Sequence, residues 1–215
     1  MNSCSIFVRT GLECIKKMLE DPKRKVALPI YVIEPVPATL EKLSKSFLSD
    51  LDDVQIFDKA VDVEEGQSDF YISDKSPELS SLHNFSRDIY RAMPRRGDWY
   101  FNRKRVVEKI RLDKFVSEQD IDSIDYLRIT GCQGNDFNVL KSLGDKIDIV
   151  QTGTCKGDWL ASIYNNDNHA LTIADFLIQK GFVVEVCRDR NKIQKTGLGV
   201  KEGLEATIHF KRKII

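Results

Sequence analysis

At 215 residues, 41% hydrophobic and 31% charged, the chain holds enough apolar material for one well-filled domain and too little for two. Its 33 basic and 33 acidic residues cancel, which leaves no global attraction for nucleic acid or an anionic membrane. The apolar runs are short, and Met1-Asn2-Ser3-Cys4-Ser5 lacks the basic-then-apolar profile of a secretory leader. Neither a membrane span nor export is indicated, and a cytoplasmic location is expected.

Ser5 to Val8 reads as a short apolar strand, Arg9-Thr10-Gly11 as a turn, and Leu12 to Glu20 as a helix with Leu12, Ile15, Met18 and Leu19 on one face. After the charged break Asp21 to Lys25, Ile30-Tyr31-Val32-Ile33 runs into Glu34 and is stopped by Pro35 and Pro37. This is the pattern of a strand buried on both faces with an acid at its carboxyl end. In open α/β sheets that is where a nucleoside's ribose hydroxyls are held, the alternative being a surface glutamate. Pro37 opens a helix expected over Ala38 to Leu51, and Val54 to Phe57 follows as a third strand. Glu64-Glu65-Gly66 turns the chain into Phe70-Tyr71-Ile72.

Periodicity fades from Ser73 to Arg105, which reads as a long loop or lid. Arg91, Arg95, Arg96, Arg103, Lys104 and Arg105 surround Trp99, Tyr100 and Phe101 there. That composition suits either phosphate or nucleic-acid contacts or a solvated loop. Val106 to Leu112 is extended, Leu112 to Val116 a helical turn, and Ile124 to Ile129 a strand. The strand ends in a glycine-bearing turn that opens a helix carrying Val139 and Leu140. Ile147 to Val150 is expected as a strand ending at Gln151, Thr172 to Gln179 as a helix closed by Gly181, and Phe182 to Val186 and Glu205 to Phe210 as an antiparallel hairpin. The alternation predicts a three-layer α/β fold, mainly parallel, with one reversed strand near its edge.

Cys4, Cys14, Cys132, Cys155 and Cys187 are odd in number and form no CxxC pair, so neither a disulfide framework nor a zinc site is supported. His83, His169 and His209 are equally scattered and read as packed or surface residues.

Ile33-Glu34-Pro35-Val36-Pro37 with Leu40 and Leu43, Ala60-Val61 before the Glu65-Gly66 turn, Ser80-Ser81-Leu82, and Leu112-Asp113 occur in the order of the FkbM methyltransferases. The block Ile124 to Leu143 resembles that family's most specific motif and reads Arg128-Ile129-Thr130-Gly131-Cys132-Gln133-Gly134. The resemblance runs from about Ile30 to the end. It implies a Rossmann-like class I methyltransferase sheet as a single domain over residues 1–215, S-adenosylmethionine as cofactor, and methylation of an oxygen on a small-molecule or sugar-like acceptor. By motif position Glu34 would hold the ribose hydroxyls, Asp58 and Ala60 border the adenine, and Ser81 lie near the methionine end. Arg9, Gly11 and Thr130 would stand at the cofactor loops, and Gln133 and His83 on the acceptor side. A carboxylate in such a solvated cleft supports no core, so loss of Glu34 is expected to cost binding and not stability.

The chain departs from the family pattern at three acidic positions. Arg9 stands where the first strand ends in an acid and a glycine-rich turn, Thr130-Gly131 replaces an aspartate, and Gln151 stands where a carboxylate is frequent. A cation there either opposes the cofactor's sulfonium or pairs with its carboxylate. No catalytic base is marked by a motif; Asp58, Asp136 and His83 are nearest by chain position, and no metal is expected. The alternatives are a binding module that keeps the fold without catalysis and a phosphate or nucleic-acid binder acting through Arg91 to Arg105.

Overall fold

The computed structural model describes residues 2–21, 26–85, 101, 103–159, 166–188 and 205–213. β1 (Ser3–Val8) leads through Arg9-Thr10-Gly11 into α1 (Leu12–Glu20), which buries Ile15 and Met18. β2 (Ile30–Ile33) is buried at every position, as its apolar run requires. α2 (Pro37–Ser44) begins on the proline, which needs no amide partner in a first turn. It is shorter than its sequence pattern suggests. The chain breaks at Lys45, and Ser46 accepts from Leu48 N to start a 3-10 turn, Phe47–Asp50.

β3 (Val54–Phe57), β2, β1, β7 (Ser123–Ile129), β8 (Val150–Asp158), β10 (Glu205–Arg212) and β9 (Phe182–Arg188) form one seven-stranded sheet in that order. All neighbours are parallel except β10, which runs against both β8 and β9. β2 lies inside the sheet, and Ile124 to Ile129 is a strand. α3 (Leu112–Glu118), α4 (Asp136–Lys141) and α5 (Ala170–Gln179) lie on one face of the sheet, where Leu112, Val139, Leu140, Ile173 and Leu177 join Ile6, Leu127, Cys155 and Phe210 in the main core. α1 and α2 cover the other face over β1 to β3, with Phe7, Ile15, Val32 and Leu43 in a second core. The expected three layers and reversed strand are therefore present.

A second sheet, β4 (Ala60–Val61), β6 (Arg103–Ile110) and β5 (Gly66–Ile72), carries a small core of Val36, Ala60, Phe70, Ile72 and Val107. Two expectations need correction here. Ile147 to Val150 is not a strand: Gly144–Ile149 is a 3-10 turn, and β8 begins at Val150 and runs to Asp158. Gly153 and Gly157 disguise this strand. An added Cβ would lie 2.4 Å from the Phe210 ring at the first and 2.6 Å from Ala170 Cα at the second, so the glycines are there to admit neighbours. Gln151 thus lies within β8, and the strand ends in a carboxylate, buried Asp158.

The expected loop Ser73 to Arg105 is also shorter. Pro77–Leu79 forms a 3-10 turn, Ser81 bridges to Tyr71, and Arg103, Lys104 and Arg105 open β6, paired with Asp74, Asp69 and Asp58. Arg91, Arg95 and Arg96, with the rest of the basic and aromatic run before Phe101, lie outside the described residues.

Candidate functional site

The carboxyl ends of β1, β2 and β7 and the small sheet enclose a narrow cleft with about 10 Å³ of free space, lined by Val8, Arg9, Ile33, Pro35, Ala60, Phe70, Leu82, Cys132 and Asn135 among others. Its walls are largely apolar because two strand ends and the small sheet's core meet there. Arg9 dominates its polar side. It sits in the left-handed region (φ 57°) directly after β1, a conformation a bulky residue adopts only when its surroundings hold it.

What holds Arg9 is a nearly complete set of acceptors. Its Nη1 donates to Glu34 Oε1 at 2.8 Å, its Nε to Gly131 O at 2.9 Å and its Nη2 to Ser80 O at 2.9 Å. The guanidinium carbon lies 5.6 Å from the Phe70 ring centroid, within cation–π range. Glu34 Oε1 also accepts from Val36 N at 2.8 Å, and the residue is only 2% exposed. The sequence places this acid in a solvated cleft; the structure places it in a buried ion pair beneath Arg9. Such a pair owes its survival to geometry and to satisfied hydrogen bonds, because taking two charges out of water is costly.

The other anticipated residues divide. Ala60 lines the cleft. Asp58 does not: it is half-exposed and pairs with Arg105, which also donates to Pro35 O. Gly11 is an ordinary extended N-cap (φ −65°) with nothing within 4 Å of an added Cβ, so it marks no close approach of the backbone to a ligand. Gly131 does need to be glycine, at φ 119° with an added Cβ 2.9 Å from Arg9 O. Thr130 Oγ1 meets Thr10 Oγ1 at 3.3 Å. Ser81 Oγ donates to Gln133 O at 2.7 Å and accepts from His83 N, tying the segment after β5 to the turn after β7.

His83 and the turn around Gln133 are brought together in a polar network that motif reading alone does not reveal. His83 Nε2 lies 2.8 Å from Asn135 Oδ1 and 3.1 Å from Asn166 Nδ2. Asn135 Nδ2 donates to Val61 O, and Asn138 Nδ2 donates to Asp62 Oδ1, whose other oxygen accepts from Lys109. Asn135 links this network to the cleft it lines. A buried asparagine three residues before Asn138 is the available signal, since both amides face one side of a helix start.

Asp136, the other acid near this turn, is 1% exposed and accepts from Lys156 N at 3.0 Å. Burial pushes its carboxyl up to about 8, with the Lys156 hydrogen bond opposing. It is a buried core residue and does not line the cleft. Burial also raises the Cys132 thiol well above its ordinary range, so the cysteine lining the cleft is no thiolate nucleophile. Among the described residues no group of three or more His, Cys, Asp or Glu could hold a metal ion.

A seven-stranded sheet ordered β3-β2-β1-β7-β8-β10-β9, one reversed strand, helices on both faces and an acid at the carboxyl end of β2 define the Rossmann-like class I methyltransferase architecture. Residues 6–184 match the model of the methyltransferase FkbM domain. The chain belongs to that family and is, by membership, an S-adenosylmethionine-dependent methyltransferase. A crystal structure of precorrin-6y C5,15-methyltransferase from Geobacter metallireducens aligns over 100% of this chain and 82% of that one, at 12% identity and a TM-score of 0.43. No curated protein matches the chain. Among the described residues no helix is long and apolar enough to cross a membrane.

The donor set fits the cofactor in position and kind: the acid ends β2, and apolar Ala60, Leu82 and Phe70 line the cleft beside it. The space does not yet match. The cleft has room for little more than one water molecule, and the guanidinium of Arg9 is seated on the carboxylate that would take the ribose.

Proposed function

We propose that the chain transfers the methyl group of S-adenosylmethionine to an oxygen of a small-molecule, sugar-like acceptor, and that Arg9 withdraws from Glu34 when the cofactor enters. The observation that carries this reading is Glu34 itself, a buried carboxylate at the carboxyl end of β2 whose partner is a cation of its own chain. The cofactor supplies an electrophilic methyl on a sulfonium; the protein's part is to hold and orient the reactants.

In this reading Glu34 holds the ribose hydroxyls and Ala60 borders the adenine. Asp58, held by Arg105, flanks that end from outside the cleft. Ser81 and Thr130, with Gly11 behind them, define the methionine end. Arg9 stands beside that end and leaves Glu34 as the cofactor enters. His83 and Gln133 face the acceptor, His83 fixed by Asn135 and Asn166. A single domain over residues 1–215 and a cytoplasmic location complete the proposal.

A second reading is favoured by the Arg9 clamp and the small cleft: a binding module that has kept the fold and exchanged its cofactor for an internal salt bridge. Incubation with methyl-labelled cofactor and a panel of sugars and other hydroxyl compounds separates the two. Label recovered in a methyl ether supports the first. Label recovered only on nitrogen or carbon overturns the oxygen acceptor, and no transfer together with no cofactor binding leaves the second.

A further inference from the structure

We propose that the sheet carries an oxyanion site on the face away from α4 and α5, built on Arg128 with Tyr126, Thr154 and His209 around it. The site rests on neither the cofactor nor the cleft.

Register assigns the face. Between Cys4↔Ile124 and Ser5↔Tyr126 the β1–β7 pairing shifts by one residue, at Asp125, so Tyr126 and Arg128 stand beside Ser5 and Phe7. Thr152 and Thr154 pair with Tyr126 and Arg128 from β8. Lys211 and His209 continue the rows on β10, and Val183 and Glu185 on β9. The intervening residues Leu127, Cys155, Ile208 and Phe210 point into the main core under α4 and α5. β10 alternates accordingly, with Ala206, Ile208 and Phe210 buried and His209 and Lys211 exposed. α1 and α2 cover this face over β1 to β3 and their core reaches Tyr126 on β7, whereas His209, Lys211 and Glu185 farther out on it are exposed.

Three polar side-chain atoms in the described structure are buried without a partner, and all are on β1 and β7: Ser3 Oγ, Ser5 Oγ and Arg128 Nε. Ser5 and Arg128 share this face by register. Arg128 makes one weak bond, Nη1 to Tyr126 Oη at 3.5 Å. Arg9, Arg103, Arg105, Arg111 and Arg212 each sit in an ion pair; Arg128 has no carboxylate among the described residues. A guanidinium is always charged and presents a planar fork of donors matched to carboxylate or phosphate. A half-buried one without a counter-charge leaves that capacity unused, at a cost a bound anion would remove.

The neighbours suit an oxyanion. Tyr126 Oη and Thr154 Oγ1 are 3.0 Å apart, and Thr154 Oγ1 lies 3.2 Å from His209 Nδ1, so a hydrogen-bonded chain runs from Arg128 to the exposed imidazole of His209. Lys211 adds positive charge on the same face, and Glu185 stands opposite His209 in register. Lys156, farther along, is paired with Glu205. The ligand class is a single carboxylate or phosphate group, free or carried on a larger molecule.

The test titrates the whole chain with inorganic phosphate and, separately, with acetate, while NMR follows the Arg128 Nε–H and His209 ring signals. Saturable shifts at millimolar concentration are expected at both, and Arg128→Gln should weaken binding at least tenfold. Saturation by phosphate alone assigns a phosphorylated ligand, and saturation by acetate alone an acidic side chain. Thr154→Val and Tyr126→Phe, which keep the guanidinium, should each weaken binding severalfold and serve if Arg128→Gln does not fold. Shifts that do not saturate, or that persist unchanged in Arg128→Gln or in both hydroxyl variants, overturn the proposal.

Discussion

Arg9 Nη1 and Glu34 Oε1 lie 2.8 Å apart across neighbouring strands, both side chains nearly out of water. Breaking a buried pair by removing one partner leaves a charge without compensation, which costs about 3–5 kcal/mol. Glu34→Ala should therefore unfold at markedly lower urea than the parent chain, contrary to the expectation for an exposed carboxylate. The double variant Arg9→Met with Glu34→Leu should recover most of the loss, and a denaturation cycle of the four chains measures it.

The Asp136 carboxyl predicts how stability follows pH. Its folded value, about 8, lies above its ordinary 3.8, so the folded chain binds the proton more tightly than the unfolded one. That contribution is fully present below about pH 4 and is lost as pH rises toward 8. Asp136→Asn keeps the oxygen that accepts from Lys156 N and cannot ionise. It should raise the melting temperature at pH 8, change it little at pH 4, and flatten the difference between them in calorimetry.

Gly131 holds the turn on which Arg9 rests, accepting from its Nε and passing within contact of its backbone. Gly131→Ala should cost about 1–3 kcal/mol, since φ 119° is closed to an L side chain and the added carbon meets Arg9 O. Loss of the Arg9 contacts should show in the same variant as faster exchange of the Arg9 Nε proton.

Thiol chemistry should divide the cysteines. Burial pushes the Cys4 thiol up to about 12, and Cys132 and Cys155 are also raised by burial, whereas Cys14 and Cys187 are half-exposed. A thiol reagent at neutral pH should modify Cys14 and Cys187 in the native chain and reach the other three only on unfolding, as read by mass spectrometry of peptides.

The layer order, the central strands and the reversed hairpin were legible because the apolar runs at Ser5–Val8, Ile30–Ile33 and Ile124–Ile129 carry strand periodicity unaided. β8 was not, because its glycines answer to Phe210 and Ala170, residues far along the chain. Position at a strand's end locates Glu34, but position cannot report that Arg9 reaches across to it. That contact depends on the left-handed turn at Arg9 and on carbonyls contributed by Ser80 and Gly131. The His83 network was hidden for the same reason: its asparagines come from two separated stretches, 135–138 and Asn166.

The most direct test of the account is calorimetric titration of S-adenosylmethionine into the parent chain, Arg9→Gln and Glu34→Gln. If Arg9 must leave Glu34 for the cofactor to enter, Arg9→Gln removes that cost and should bind about tenfold more tightly than the parent. Glu34→Gln, lacking the charge that holds the ribose hydroxyls, should bind at least tenfold more weakly. Absence of binding to both the parent and Arg9→Gln at millimolar cofactor would contradict the account and leave the Arg9–Glu34 pair as the permanent occupant of the site.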